Sequence, residues 1–430
     1  IFENRLYIAG TLNTHPMKYL LVALSVLILL SCQQKPDHPA AQWRGIHRNG
    51  MFPETNLLDQ WPESGPDQNW LYEGLGQGYA APAVTEDRIY VNAEQAGNSY
   101  LVALDLEGTQ IWKSAIGKEF LGEGFSSTYP GARSTPTVMG DLVYATSGTG
   151  QLSCFETSSG KEVWAVDLMN ELGGELGYFG YSESVAVDRD RVYCFPGGAE
   201  TNLAALDRFT GEIAWTTEAL RDTFAYGSPI LVNLPDQEIL ITTSRHHIFA
   251  LSRENGRVLS SYRLEGYEYD GEHCNTVVYT DGYIYFVAND IPGQGAMKIR
   301  LSDDGSRMEE VWRNQKIMNN FGGLVLVDGH LFTTVKGNRL VSLDPESGAI
   351  SDTLKVATGS LIFADNKFFC YGNNGTVNLV NYSPGQLIRS GSLKVRDGSG
   401  QHFSHPFLSR GIMYIRRGDG LMAFNISKEL

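Results

Sequence analysis

A short segment recurs down this chain: a small residue, an acidic residue two positions later, then a Gly, and a Trp four residues after that Gly. Full copies lie at 154–164 and 205–215, and a copy one residue shorter lies at 103–112. Weaker copies at 250–256 and 342–348 lack the Trp. A recurrence of roughly 40–50 residues is the length of a four-stranded propeller blade. The repeat therefore predicts modular β-sheets arranged around an axis.

Eight units along the chain share one plan, in which a strand of small or apolar residues leads through an Asp or Gly turn into an alternating strand. These first strands lie at 81–84, 134–138, 184–187, 228–231, 275–278, 323–326, 360–363 and 406–408. Short alternating strands bounded by Asp, Gly and Asn are typical of hairpins. The chain is therefore expected to be all-β, with eight four-stranded antiparallel blades.

The two ends of this pattern predict how the ring closes. The last unit stops near Phe424 without a fourth strand, and an unassigned strand lies upstream at 69–73. We predict that this N-terminal strand completes the last blade of an eight-bladed β-propeller. Closure of the ring removes the open sheet edges that would otherwise promote aggregation.

The N-terminal 68 residues divide into three predicted parts: an upstream extension at 1–16, a lipoprotein signal peptide at 17–31, and a linker and lead-in at 32–68, with the propeller following at 69–430. Lys18, an apolar run and the small Ser31 are typical of a secretory signal. The segment ending at Cys32 resembles a bacterial lipobox, which implies lipidation of the Cys32 thiol. A short transmembrane anchor is the alternative, although the run is shorter than the ~20 apolar residues that a span needs.

Charge and cysteine content narrow the class of protein further. The formal net charge of −15 argues against nucleic acid as a partner and against docking onto anionic lipid by charge. Cys154, Cys194, Cys274 and Cys370 fall in different repeats, and none has metal-ligand spacing. We expect four buried thiols, with a Cys154–Cys194 disulfide as the alternative in an oxidising compartment.

The tryptophans of the outer strands are expected to be structural. Trp112, Trp164, Trp215 and Trp312 are predicted to lie flat between adjacent blades, each removing ~150–250 Å² from water. Binding of a ligand is the alternative role for these side chains.

These repeats resemble those of the pyrroloquinoline-quinone (PQQ)-type propeller superfamily, which includes quinoprotein alcohol dehydrogenases and the BamB-type outer-membrane assembly lipoproteins. The lead-in residues Trp43, Arg44, Gly45, Asn49 and Gly50 are similar to those of a bacterial subgroup described as PQQ-like or BamB-like. The resemblance implies an eight-bladed propeller, and it covers 43–430. It also implies localisation at the outer membrane facing the periplasm, and Gln33 in place of Asp after Cys32 agrees with this.

The dehydrogenase branch of the superfamily implies features that this sequence lacks. Those enzymes hold the quinone with a disulfide between adjacent cysteines and a Trp platform, bind Ca²⁺ through Glu, Asn and Asp, and use an Asp base. No two cysteines are adjacent here. We therefore expect no cofactor and no catalytic residue, and PQQ with Ca²⁺ belongs only to the alternative of an alcohol or sugar dehydrogenase.

A candidate ligand site follows from the register of the repeat, because residues just before the innermost strand of each blade line the central funnel of a propeller. These positions hold Tyr79, Arg133, Tyr181, Glu183, Tyr226, His273, Asn275, Asn320 and His405. Aromatic and cationic side chains at a concave mouth suit a peptide, a saccharide or a planar cofactor. The alternative is a water-filled channel. Arg133 is the strongest candidate, with Glu183 or Glu272 as its structural partner in the alternative.

Metal binding and nucleophilic catalysis are not predicted. His246 and His247 are neighbours on a predicted strand and are expected to point to opposite faces. His402, His405 and His273 converge only by tertiary chance. The sequence therefore predicts a monomeric, non-catalytic binding or scaffold lipoprotein whose partner is an envelope protein, a peptide or a saccharide.

Overall fold

A computed structural model describes residues 41–223, 225–264, 273–289 and 293–428. These residues belong to one compact unit. The predicted extension, the signal peptide and Cys32 lie outside the described residues. No helix within the described residues is long and apolar enough to cross a bilayer.

The described residues form eight four-stranded antiparallel sheets. Blade 1 contains β2 (Ala83–Val84), β3 (Ile89–Gln95), β4 (Asn98–Leu104) and β5 (Gln110–Lys118). Blade 2 contains β6 (Thr137–Met139), β7 (Leu142–Thr146), β8 (Gln151–Glu156) and β9 (Glu162–Asp167). Blade 3 contains β10 (Ala186–Val187), β11 (Arg191–Cys194), β12 (Leu203–Asp207) and β13 (Ile213–Thr217). Blade 4 contains β14 (Ile230–Asn233), β15 (Glu238–Thr243), β16 (His247–Ser252) and β17 (Val258–Arg263).

The second half of the ring repeats this arrangement. Blade 5 contains β18 (Val278–Thr280), β19 (Tyr283–Val287), β20 (Ala296–Leu301) and β21 (Met308–Asn314). Blade 6 contains β22 (Leu324–Val327), β23 (His330–Val335), β24 (Arg339–Leu343) and β25 (Ile350–Lys355). Blade 7 contains β26 (Gly359–Ala364), β27 (Lys367–Gly372), β28 (Thr376–Ser383) and β29 (Gln386–Lys394). Blade 8 contains β30 (Phe407–Ser409), β31 (Ile412–Arg417), β32 (Gly420–Asn425) and the N-terminal β1 (Gln68–Glu73).

Pairing of β1 with β32 closes the ring. Trp70 lies opposite Ala423, and Tyr72 lies opposite Leu421, in an antiparallel register. The predicted eight-bladed propeller, closed by an N-terminal strand in the last blade, is therefore confirmed. Helical structure in the described residues is limited to short 3-10 turns at Gly124–Thr128 and Ala219–Arg221.

The ring has two different faces. We call the face at which the innermost strands begin the funnel face, and the face at which they end in their first hairpin turns the turn face. Because every blade is an antiparallel meander, the long loops between blades lie on the funnel face. The acidic turns of the repeat lie on the turn face.

A contact between Trp and Gly joins neighbouring blades. The Trp164 indole donates from Nε1 to the carbonyl of Arg208, at 3.0 Å. A Cβ built on Gly211 would lie 2.9 Å from the Trp164 ring, and Gly211 has a φ of +76°, which favours glycine. The same contact joins Trp112 to Gly160, Trp215 to Gly256, Trp312 to Gly348, and Trp70 to Gly108. The Gly and the Trp of each motif therefore act in two different contacts, one with each neighbouring blade.

Residues 41–50, which we call the axial segment, cross the centre of the ring. The segment enters from the turn face, where Ala41 forms an antiparallel bridge with Val138 of β6. It reaches towards the funnel face at Trp43, turns back, and leaves beside β26, where Met51 forms a parallel bridge with Phe363. The lead-in thus enters the central channel, turns back as a loop and leaves it, and the chain then continues to β1.

Two buried arginines fix the axial segment to the blades. Arg44 donates to the carbonyls of Gly322, at 2.6 Å, and Leu324. Arg48 donates to the carbonyls of Ser184, at 2.8 Å, Pro229, at 3.0 Å, and Val185. Both side chains are 3% exposed. Burial lowers the pKa of each guanidinium to about 9. The innermost strands are therefore connected across the axis as well as around the ring.

Steric crowding explains why positions 45 and 50 of the axial segment are glycines. A Cβ built on Gly50 would lie 2.4 Å from the Arg44 guanidinium, and one on Gly45 would lie 2.9 Å from the carbonyl oxygen of Met51. Gly50 and Gly45 have φ angles of +78° and +84°. Any larger residue at these positions would displace the Arg44 side chain or strain the turn.

Glu183 lies buried near Arg48. Burial raises the pKa of the Glu183 carboxyl to about 8, and the positive charge of Arg48 opposes this shift. Because the axial arginines donate to carbonyl groups rather than to this carboxylate, their buried charge is stabilised by backbone dipoles.

We predict that Trp164→Ala lowers the free energy of unfolding by ~3–5 kcal/mol, because it leaves a cavity between blades 2 and 3. Chemical denaturation measures this loss. Val163→Ala is the matched control, since Val163 is the preceding residue of the same strand and is 44% exposed. The control should change stability by less than ~0.5 kcal/mol. A similar loss in both variants would contradict the role of the indole.

The raised pKa of Glu183 predicts that the stability of the protein depends on pH. The folded protein keeps this carboxyl protonated up to about pH 8, whereas the unfolded chain loses the proton near its ordinary pKa of 4.5. The unfolding free energy should therefore fall as pH rises between these values. Between pH 5 and pH 8 we expect Glu183→Gln to gain about 3–4 kcal/mol of stability relative to the wild type.

Denaturation of wild type and variant at the two pH values measures this difference. Glu123→Gln, at an exposed loop position, is the control and should show no such gain. If the difference in unfolding free energy between the wild type and Glu183→Gln is the same at pH 5 and at pH 8, a neutral Glu183 in the folded state is contradicted.

Candidate functional site

The funnel face opens into a cavity of about 400 Å³ on the ring axis. We call this cavity the funnel. Its lining combines aromatic side chains with serines, asparagines and an arginine. The lining residues are Trp43, Tyr79, Phe125, Tyr129, Arg133, Phe179, Ser182, Ser184, Tyr226, Ser228, Cys274, Asn289, Asn320, Phe321, Gly322, Phe403 and His405.

The aromatic wall is a continuous set of ring contacts. Tyr129 is stacked on Phe403, with ring centroids 5.9 Å apart, and meets the edge of Phe179 at 5.9 Å. Phe179 continues to Tyr226 at 6.1 Å, and Phe403 contacts Phe321 at 5.3 Å. Loops from several blades therefore meet through their rings. Such rigid, amphipathic side chains are typical of binding sites.

Trp43 of the axial segment forms part of the funnel floor. Its indole donates to the Thr276 hydroxyl at 3.0 Å and lies against the His405 ring, with centroids 4.4 Å apart. His405 Nε2 lies 2.6 Å from the carbonyl oxygen of Phe321. Burial and the nearby charge of Arg44 lower the pKa of His405 to about 3, so its ring is neutral at physiological pH. The floor is thus an aromatic pair supported by the axial segment.

Arg133 lines the funnel wall as a positioned cation. It donates to the carbonyls of Gly131, at 3.0 Å, and Tyr129. Its guanidinium carbon lies 5.7 Å from the centre of the Tyr79 ring. The carboxylate whose charge acts on this guanidinium is Glu119, whereas Glu183 faces Arg48 instead. The alternative in which Glu183 is the structural partner of Arg133 is therefore not observed, and Glu272 lies outside the described residues.

The structure brings five of the nine predicted funnel residues to the cavity. They are Tyr79, Arg133, Tyr226, Asn320 and His405. The other four, Tyr181, Glu183, His273 and Asn275, are at most 6% exposed and lie outside this lining.

The four buried side chains lie in the protein interior behind the funnel wall. The Tyr181 hydroxyl donates to the carbonyl of Pro196 at 2.7 Å, within the apolar core of blades 2 and 3. The Asn275 amide donates to the carbonyls of Val287 and Asn319. Burial lowers the pKa of His273 to about 3. These side chains hold strands and loops in place behind the funnel wall.

Several funnel residues were not among the predicted positions. Phe179, Phe403 and Phe321 lie in the same loops as predicted residues, so the aromatic content of those loops could have indicated them. Trp43 gave no comparable signal, because the lead-in was expected to be a linker.

The histidines do not form a metal site in the described residues. His246 Nδ1 and His247 Nδ1 lie 2.6 Å and 2.8 Å from the two carboxylate oxygens of Asp222. The expectation that these histidines point to opposite faces is wrong, because His246 precedes the first residue of β16. No three His, Cys, Asp or Glu side chains within the described ranges are close enough to hold a metal ion.

The funnel does not fit PQQ with Ca²⁺. Trp43 supplies an aromatic floor, but the described lining contains no carboxylate to bind Ca²⁺ or to act as a base. Cys274 is the cysteine of that lining, and its neighbours in sequence are His273 and Asn275. The thiols of Cys154, Cys194, Cys274 and Cys370 are all free, so the alternative of a Cys154–Cys194 disulfide is not observed.

A larger cavity of about 920 Å³ lies on the turn face, beside the other side of the axial segment. Its lining includes His47 and Asn49 of that segment and the ends of β10, β14 and β18. Because the axial segment contributes to both cavities, it separates them.

Comparison with known proteins places this geometry in a family. BamB of Yersinia pestis is 22% identical over 256 residues, which are 56% of this chain and 60% of that protein. BamB of Shewanella oneidensis is 21% identical over 327 residues, 73% of each chain. The chain spans 60%, 46% and 65% of the Yersinia, Kangiella and Moranella proteins that it matches.

Solved structures share the fold. BamB from Moraxella catarrhalis superimposes with a TM-score of 0.58 at 14% identity, covering 85% of this chain and 98% of that one. A europium-containing methanol dehydrogenase gives 0.65 at 12% identity, covering 91% of each chain. At such identities the likeness concerns the propeller alone.

Residues 97–354 match the family described as outer membrane protein assembly factor BamB, and this match covers more than half of the sequence. The chain belongs to that BamB family.

Proposed function

We propose that this protein is a non-catalytic binding lipoprotein of the cell envelope that takes part in outer-membrane protein assembly. The observation that carries the proposal is the aromatic funnel, which has Trp43 at its floor and opens on the funnel face, in a chain of the BamB family. A blind, apolar-walled cavity suits an anchoring side chain from a protein partner better than a substrate that must pass through.

Two features support binding without a cofactor. The described funnel lining lacks a carboxylate, and its cation, Arg133, donates to the backbone carbonyls of Gly131 and Tyr129. Lipidation of Cys32 would tether the protein to the outer membrane, in agreement with this role.

The test replaces two funnel aromatics in the bacterium that encodes the protein. Phe403→Ala with Tyr129→Ala removes the stacked pair of the wall. We expect the amount of folded β-barrel proteins in the outer membrane to fall several-fold, as measured by heat-modifiable mobility on gels, while the abundance of the variant stays normal. Ile350→Ala with Ile388→Ala is the matched control, since both residues are exposed on outer strands.

Normal β-barrel levels in the funnel variant would contradict the assembly role. The enzyme alternative has its own readout in the purified protein. Addition of PQQ with Ca²⁺ should give neither dye reduction with alcohols or sugars nor a bound quinone spectrum. Either signal would instead support a dehydrogenase.

A further inference from the structure

The funnel face carries opposite charges on opposite halves of the ring. The loops at 119–136, 168–185 and 218–229 follow blades 1, 2 and 3, and their described residues include four exposed glutamates. These are Glu123, Glu171, Glu175 and Glu218. Two exposed cations accompany them: Arg221 pairs with Glu218 at 3.1 Å, and Lys118, the last residue of β5, donates to Asn98 Oδ1 at 2.9 Å. We call this half the acidic arc.

The other half of the same face is basic, although the whole chain carries a net charge of −15. The funnel-side ends of blades 5, 6 and 7 expose Lys316, Arg339, Lys355, Lys394 and Arg396, with Asp397 as an acidic neighbour. Arg339 and Lys355 lie opposite each other in β24 and β25. Lys394 donates to the carbonyl of Asn374 rather than to a carboxylate. We call this half the basic arc.

The two arcs face each other across the funnel. The loops of the acidic arc follow blades 1–3, and the residues of the basic arc follow or end blades 5–7, so the centres of the arcs are four blades apart in a ring of eight. Charges that are separated in this way do not neutralise each other over more than a Debye length of about 8 Å. The funnel face therefore has an electrostatic dipole that runs from one arc to the other.

The acidic arc also exposes apolar side chains. Phe125 is 61% exposed, Tyr178 is 49% exposed, and Leu121 and Leu176 are more than 40% exposed. Leu220 is 56% exposed at the centre of three consecutive non-glycine residues with left-handed φ angles, Ala219, Leu220 and Arg221. Left-handed backbone costs roughly 1–2 kcal/mol per residue, and strain of this kind is concentrated at binding sites. Apolar side chains surrounded by charge are the usual composition of a protein interface.

Together, these observations identify a docking surface. We propose that the funnel face binds a folded protein partner with complementary polarity: apolar and basic side chains against the acidic arc, acidic side chains against the basic arc, and an apolar side chain in the funnel. The inference rests on the proposed binding function and specifies its partner. The paired arcs set the rotation of the partner about the funnel axis and accelerate its association.

Two other occupants fit less well. An anionic membrane would be repelled by the four exposed glutamates of the acidic arc. A second copy of this chain has suitable charges, but two concave funnels would face each other and leave an unfilled space at the centre of the interface.

The probe is a fluorescein-labelled peptide of twelve residues with a central Phe, four Glu at one end and four Lys at the other, which spans roughly 40 Å when extended. We expect it to bind the wild-type protein in a salt-dependent manner, as measured by fluorescence anisotropy. The variant Arg339→Glu with Lys355→Glu should weaken binding at least tenfold at low salt. Half-molar salt should remove most of that difference.

Lys161→Glu with Arg257→Glu is the matched control, because it makes the same charge change at exposed turn-face positions. The control should bind the peptide within about twofold of the wild type. Equal weakening in both variants, or none in either, would overturn the proposal. Thermal melting verifies that the variants stay folded.

Two further measurements separate the other occupants. Binding to phosphatidylglycerol vesicles that is lost in Arg339→Glu with Lys355→Glu would overturn the proposal in favour of a lipid surface. Light scattering should show a monomer, and a dimer lost in the same variant would assign the surface to a second copy. If the peptide fails while the funnel-aromatic variants lose β-barrel assembly in cells, the proposed function stands and this docking mode is wrong.

Discussion

Two guanidinium groups at the ring axis, those of Arg44 and Arg48, hold backbone carbonyls from blades 3, 4, 6 and 7. Innermost strands of a propeller otherwise expose one edge to the central channel. The axial segment covers part of that edge and supports Trp43 at the funnel floor. The position of the floor and the separation of the two cavities therefore depend on these charge-assisted hydrogen bonds. Burial and the added charge of Arg44 together lower the pKa of His405.

Around the ring, a different contact sets the spacing. Each Trp of an outer strand packs on a Gly of the next blade and donates to a neighbouring carbonyl, as Trp215 does with Gly256 and the Arg253 carbonyl. The outer strands of blades 4, 6 and 7 lack the Trp, and in blade 4 Leu259 packs against Gly305. The rim is thus a repeated local contact, whereas the axis is held by a segment that occurs once. This difference leaves the loops of the funnel face free to vary for binding.

The repeated blades of the fold were predictable from the sequence, whereas the axial segment, which occurs once, was not. Blade number and closure by β1 followed from counting strands, because the last unit lacked one. The axial segment was not predictable, since its hydrogen bonds join Arg44 and Arg48 to carbonyls more than 130 residues away. Five of the nine predicted funnel positions line the cavity. The others were missed because neighbouring residues face opposite ways: Ser182 lines the funnel, whereas Tyr181 is buried behind it. The left-handed turn at Leu220 has no glycine to indicate it.

The most direct test of the central claim, that the axial segment occupies the ring axis, is hydrogen exchange at two amides of the innermost strands. The Val138 amide donates to the Ala41 carbonyl, and the Phe363 amide donates to the Gly50 carbonyl, both at 2.8 Å. If the segment lies in the channel, both amides should exchange as slowly as the hydrogen-bonded amides between β6 and β7, through global unfolding. Exchange at rates close to those of an unprotected chain would show that these edges face water, and would contradict the account.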